Sequence, residues 1–98
     1  MIDRHEIDYG GRLEHSIGLD NWPRLYGNRY GTFYKAYRKY YTCNKDKPDE
    51  KCEELVKKGL MTKTIHVATY RGDVLEYHIT EEGYKHLEKK YNIRIVRY

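Results

Sequence analysis

Three features of the chain predict an α+β domain. Aromatic residues recur at helical spacing in its middle, a segment opening PDE and closing KKG carries the signals of both helix ends, and beyond Met61 the apolar period changes to two. The 98 residues suffice for one cooperative core and are too few for two, so a single domain spanning 1–98 is expected.

Near the N-terminus, Gly10-Gly11 ends a run of alternating charge and apolarity, read as a short strand or loose arm. Leu13, Ile17 and Leu19 then suggest a short first helix closing near Gly18. Asp20-Asn21-Trp22-Pro23 is a turn, because a residue before proline is pushed out of the helical region, and Trp22 is its anchor. In GNRYGTFYKAYRKYYT the rings of Tyr30, Phe33, Tyr34, Tyr37 and Tyr41 recur at i, i+3, i+4, i+7 and i+11, one stripe of a second helix. At about 100° per residue, Lys35, Arg38 and Lys39 fall on the opposite arc, with Arg29 and Tyr40 on one flank. Gly27 and Gly31 each cost roughly 1 kcal/mol inside a helix, which moves the regular part to Thr32 and leaves its hydroxyl as the cap.

A third helix is bounded at 48–58 by Pro48 at its first position, Asp49 and Glu50 at the positive end, Lys57 and Lys58 at the negative end, and Gly59 beyond. Cys52, Leu55 and Val56 form its apolar side, with Leu60 and Met61 packing back after the glycine. Residues 64–70 and 74–79 read as a hairpin whose inward candidates Ile65, Val67, Leu75, Tyr77 and Ile79 are all odd-numbered. Shared parity favours a three-residue loop at 71–73 with Val67 opposite Tyr77, which also sets His66 opposite His78. Thr80 caps a last helix opened by Glu81 and Glu82 and buried through Tyr84, Leu87 and Tyr91. The closing IRIVRY alternates and suits an edge strand through which two copies can pair as a homodimer.

Composition narrows function more than it identifies it. Of the residues, 39% are hydrophobic and 35% charged, and the 12 tyrosines supply an apolar content that disordered chains lack. The net charge of +4 is uneven: residues 22–47 carry seven basic side chains against one acidic, whereas residues 1–21 carry two against five. Two cysteines without a secretory signal read as reduced thiols, and no run of apolar residues is long enough for a membrane span, so a cytoplasmic location is expected. Cys43 and Cys52 lack the short spacing of a zinc knuckle, two histidines are too few ligands, and no nucleophile stands in a recognisable set with a base. Neither metal, cofactor nor enzymatic activity is expected.

The order of helices, a helix ending in LVKKGLM, a hairpin, then YHITEEG opening a helix resembles the winged-helix domain of MarR-type and PadR-type regulators over residues 48–90. The resemblance implies a winged-helix-like fold: three N-terminal helices, a β-hairpin wing, a C-terminal helix and a short edge strand. It also implies DNA contact by the helix before KKGL and by the wing. Asp49, Glu50, Glu53 and Glu54 depart from that pattern, since they set carboxylates where phosphates would lie. More loosely, LEHSIGLDN, YRKYYT, LVKKGLM and YHITEEG in that order resemble small uncharacterised proteins of phages and prophages of Gram-positive bacteria, which implies host cytoplasm and no activity.

The expected function is therefore nucleic-acid binding or regulation without catalysis. Its candidate contacts are Arg29, Lys35, Arg38 and Lys39 on the second helix and Arg71 at the wing tip, because clustered cations gain from counterion release. The alternative is a module that binds a host or phage protein through exposed tyrosines.

Overall fold

The computed structural model describes residues 7–20, 25–29, 31–69 and 72–98. In chain order the elements are α1 (Arg12–Ser16), β1 (Leu25–Asn28), β2 (Gly31–Lys35), β3 (Tyr40–Asn44), α2 (Glu50–Lys57), β4 (Met61–Thr69), β5 (Gly72–Ile79), α3 (Glu81–Tyr91) and β6 (Arg94–Val96). The strands form two three-stranded sheets, ordered β1-β2-β6 and β3-β5-β4.

This architecture is α+β but not winged-helix-like. Only α1 and α2 precede the hairpin, and the segment expected to form the second helix is instead β2, a connection and β3. Its residues explain why. Thr, Phe and Tyr fit a pleated surface at least as well as a helix, and Gly31 takes φ +125°, outside the helical region. Burial alternates here with a period of two: Tyr34 and Ala36 are buried while Lys35 and Tyr37 are exposed. Of the predicted stripe, Tyr34 is the one ring fully inside. Phe33 and Tyr41 are half-buried, Tyr37 is exposed, and Tyr30 lies outside the described residues. The opposite arc of Lys35, Arg38 and Lys39 therefore does not exist as a helix face.

Nor is the β4–β5 hairpin a free wing. β5 is the central strand of its sheet, with β3 added along its other side from Tyr40 opposite His78 to Asn44 opposite Val74. Ile65 faces Leu75, so the shared odd parity holds, but the register differs by four from the expected sum and a bulge interrupts it between His66 and Thr69. His66 consequently lies opposite Val74 and His78 opposite Thr62. Leu75 and Tyr77 face inward as expected, whereas Ile65, near the open edge of the sheet, is 50% exposed.

The remaining elements follow local signals. α1 closes at Gly18, whose φ of +79° is left-handed. In α2, Asp49 is the cap and accepts a hydrogen bond from the Cys52 amide at 2.9 Å, with Gly59 at φ +77° just past the end. In α3 the Thr80 hydroxyl accepts from the Gly83 amide at 3.1 Å, and Tyr84, Leu87 and Tyr91 are buried. Gly83 is required by packing, since a Cβ there would collide with the Leu60 carbonyl oxygen. Trp22 and the expected N-terminal strand through residue 6 fall outside the described residues.

One core joins everything. α1 packs on β3, β5 and α3, α2 on β4, and α3 on β5 and β6, so Leu13, Ile17, Leu19, Tyr34, Cys52, Met61, Tyr77, Leu87 and Ile95 belong to a single buried cluster. Each large apolar side chain so enclosed contributes about 1.5–3 kcal/mol. Tyrosine hydroxyls reach polar partners at the core's margin: Tyr34 donates to the Ile17 carbonyl at 2.8 Å and Tyr77 to Glu53 at 2.9 Å. Among the described residues no helix is long and apolar enough to cross a membrane.

Candidate nucleic-acid interface

The β1-β2-β6 sheet positions a mixed aromatic and basic surface. β1 and β2 are antiparallel, with Leu25 opposite Tyr34, Tyr26 opposite Phe33 and Asn28 opposite Gly31. β6 runs parallel to β2, pairing Phe33 with Arg94, Tyr34 with Ile95 and Lys35 with Val96. Because laterally paired residues share a face, Leu25, Tyr34 and Ile95 turn to the core. Tyr26, Phe33, Lys35, Arg94 and Val96 form the outer face. Burial agrees: Tyr34 and Ile95 are buried, whereas Lys35, Arg94 and Val96 are exposed.

On that face the rings of Tyr26 and Phe33 stack, with centroids 5.0 Å apart and planes at 16°. Tyr26 keeps 39% of its surface exposed. Lys35 and Arg94 flank Phe33, one along its own strand and one beside it. Neither forms an ion pair with a carboxylate among the described residues, and the same holds for Lys39, whose ammonium lies 6.0 Å from the ring centroid of Tyr98. The Ala36 amide donates to the Val96 carbonyl at 3.0 Å, so the chain leaving β2 stays close to the C-terminal residues, and the Lys39 carbonyl accepts from the Ile79 amide at 3.3 Å as the connection passes to the second sheet.

The five residues singled out in the sequence separate. Lys35 lies on the outer face, Lys39 in the connection that follows β2, and Arg29 is exposed at the β1–β2 turn. Arg38 does structural work: its guanidinium donates to the His15 carbonyl at 3.0 and 2.5 Å and ties the connection to α1. Arg71 is outside the described residues. Arg94 joins the group although sequence reasoning left it out. The signal was its place between Ile93 and Ile95 in an alternating strand, which forces it outward. Arg97 does not join, because Glu81 and Glu88 hold its guanidinium at 2.7 and 2.9 Å and push its pKa up.

A groove of about 920 Å³ runs beside β6, bounded by Phe33, Asn92, Arg94, Glu88 and Arg97. Glu88 is already engaged, since it accepts from Arg97 and from the Ile95 amide. That leaves Thr32, Asn92 and Arg94 to offer polar side-chain groups to a ligand there.

On the outer face of the second sheet, His66 and His78 approach Glu76 at 3.8 and 3.7 Å, but no three or more such side chains among the described residues are arranged to hold a metal ion. Between α1, α2 and α3 the Glu14 carboxylate, 3% exposed, accepts from Lys90 at 2.8 Å and from the Tyr91 hydroxyl at 2.5 Å. These bonds complete a link between helices and leave the carboxylate committed. The Cys52 thiol is buried and its pKa is pushed up to about 12 by that burial, with Asp49 adding to the effect, so it is a poor nucleophile.

No protein-family model, curated protein or solved structure matches this chain.

Proposed function

We propose that this protein binds nucleic acid through the outer face of the β1-β2-β6 sheet and the adjoining β2–β3 connection. The observation that carries the reading is the company of Lys35, Lys39 and Arg94. Lys35 and Arg94 share the face that carries the stacked pair Tyr26–Phe33, Lys39 stands in the connection that follows β2, and none of the three is in an ion pair with a carboxylate among the described residues. Cations outside close ion pairs are the ones best placed to displace counterions from a phosphate chain.

The test is binding of a fluorescent oligonucleotide to the full chain as salt is raised. With about three phosphate contacts, affinity is expected to fall roughly 20- to 40-fold between roughly 50 and 200 mM salt, and Lys35→Glu or Arg94→Glu is expected to reduce the salt slope by about one. Unchanged affinity in the Lys35→Glu, Arg94→Glu double variant would remove the reading.

A second reading, recognition of a protein, has support in the exposed rings of Tyr37, Tyr40 and Tyr98, since tyrosine is a common interface anchor. Binding of that kind would respond weakly to salt.

A further inference from the structure

We infer that the nucleic acid taken by this face is single-stranded, with an unpaired base continuing the Tyr26–Phe33 stack and the neighbouring phosphates held by Lys35 and Arg94. The inference rests on the proposed function and specifies its ligand.

The rings carry the argument. A cation recognises phosphate on a duplex or on a single strand equally well, whereas a ring that offers its π-face needs a base whose own face is uncovered. Duplex bases are covered by their neighbours. Tyr26 and Phe33 are nearly parallel at 16° on a sheet face rather than in the core, Tyr26 exposed and Phe33 half-buried. Such a pair is a stack already begun, and base–aromatic stacking is tolerant of sequence because every base has a π-face.

Spacing fits the same ligand. Lys35 is two residues beyond Phe33 on β2, roughly 7 Å away along the strand, and Arg94 lies on the adjacent strand roughly 4.8 Å across. One base on the rings therefore brings the phosphates on either side of it within reach of both side chains. Among the described residues no basic helix is offered to a major groove: α2 has an acidic first turn and α3 is led by Glu81 and Glu82. Beside β6, the groove that includes Asn92 gives the next base a polar edge to meet.

The experiment measures anisotropy of one labelled twelve-nucleotide strand, alone and annealed to its complement, as DNA and as RNA, at low salt. Proteins compared are the full chain, Tyr26→Leu, Phe33→Leu, Phe33→Trp and the Lys35→Glu, Arg94→Glu pair, each checked by circular dichroism for an unchanged fold. Preference for the single strand of tenfold or more is expected, with a 5- to 100-fold loss in Tyr26→Leu and in Phe33→Leu and retention of affinity in Phe33→Trp. Equal binding of strand and duplex, or ring variants that bind as well as the parent, would overturn the inference while the phosphate contact stood. Absence of salt-sensitive binding to either form would overturn the proposed function and this inference with it.

Discussion

The Glu88 carboxylate accepts a hydrogen bond from the Ile95 backbone amide at 2.9 Å, joining α3 to the central residue of β6. Arg97 completes the clamp by donating to the Ile95 carbonyl at 2.6 Å and to Glu88 itself. β6 is the outermost strand of its sheet, and the polar groups that its middle residue could offer to another chain are thereby occupied. The IRIVRY segment holds the short edge strand expected from the sequence, with the Ile95 amide and carbonyl bonded within the chain.

Removing the clamp is expected to cost stability. Arg97→Ala should lose about 1.5–3 kcal/mol in urea unfolding, the range for hydrogen bonds to charged groups. Hydrogen bonds from Arg97 hold the Glu88 carboxyl below its usual pKa; burial opposes this and the Ile95 amide adds to it. A carboxyl depressed on folding stabilises above its unfolded pKa, and that stabilisation is lost as pH falls through the folded value. The parent should therefore lose stability on acidification more steeply than Arg97→Ala, and parallel pH profiles would count against the clamp.

Tyr91→Phe tests the link buried between helices. The hydroxyl donates to Glu14 and accepts from the Asp8 amide at 2.9 Å, so its loss is expected to cost about 1–3 kcal/mol by leaving a buried carboxylate short of a donor. Burial first, then Glu14, pushes the Tyr91 pKa up to about 12. A phenol raised on folding contributes stability that is complete below its unfolded pKa near 10 and is lost as pH rises through its folded value. Alkaline unfolding followed by tyrosinate absorbance should thus show a late cooperative step, shallower in Tyr91→Phe.

Asp49→Ala removes both the cap of α2 and the partner of Arg12, whose guanidinium lies 3.0 Å away. A cap alone is worth about 1 kcal/mol, and Asp49→Asn, which still accepts the Cys52 amide but carries no charge, should recover most of it. Burial alone would raise the Asp49 pKa, but the Cys52 amide and Arg12 outweigh it and hold it low. The charge-dependent part of its contribution is accordingly present above the unfolded pKa and lost in acid. Thermal melts of the three proteins at neutral and acid pH separate the two parts.

Legibility in the sequence followed the range of the interactions. α2 and α3 could be read because Asp49, Gly59 and Thr80 act within a few residues of themselves. β2 and β3 could not, because the rings from Phe33 to Tyr41 recur at helical spacing although the segment forms strands. What decides against the helix is pairing with distant strands, Phe33 to Arg94 and Tyr41 to Tyr77. Gly27, Gly31 and the run of Thr and aromatic residues were the available strand signal. The hairpin's faces were legible from parity; its register was not, because a bulge shifts it.

The proposed site was legible in fragments. Lys35 and Lys39 were singled out for their charge, and Tyr26 remains exposed beside them. Phe33 was assigned to the core by the helical stripe, and Arg94 was overlooked because it reaches Phe33 only through a parallel pairing between the two ends of the chain. Arg38 matched the expected composition of a phosphate contact, yet the His15 carbonyl already holds it.

Backbone amide chemical shifts recorded as a short unlabelled single strand is titrated into the labelled full chain test the central claim most directly. The expected shifts centre on Tyr26, Phe33, Lys35, Arg94 and Val96, with Lys39 following and Thr62–His66 on the far sheet unmoved. Shifts centred on the β4–β5 hairpin, or none at saturating oligonucleotide, would contradict it.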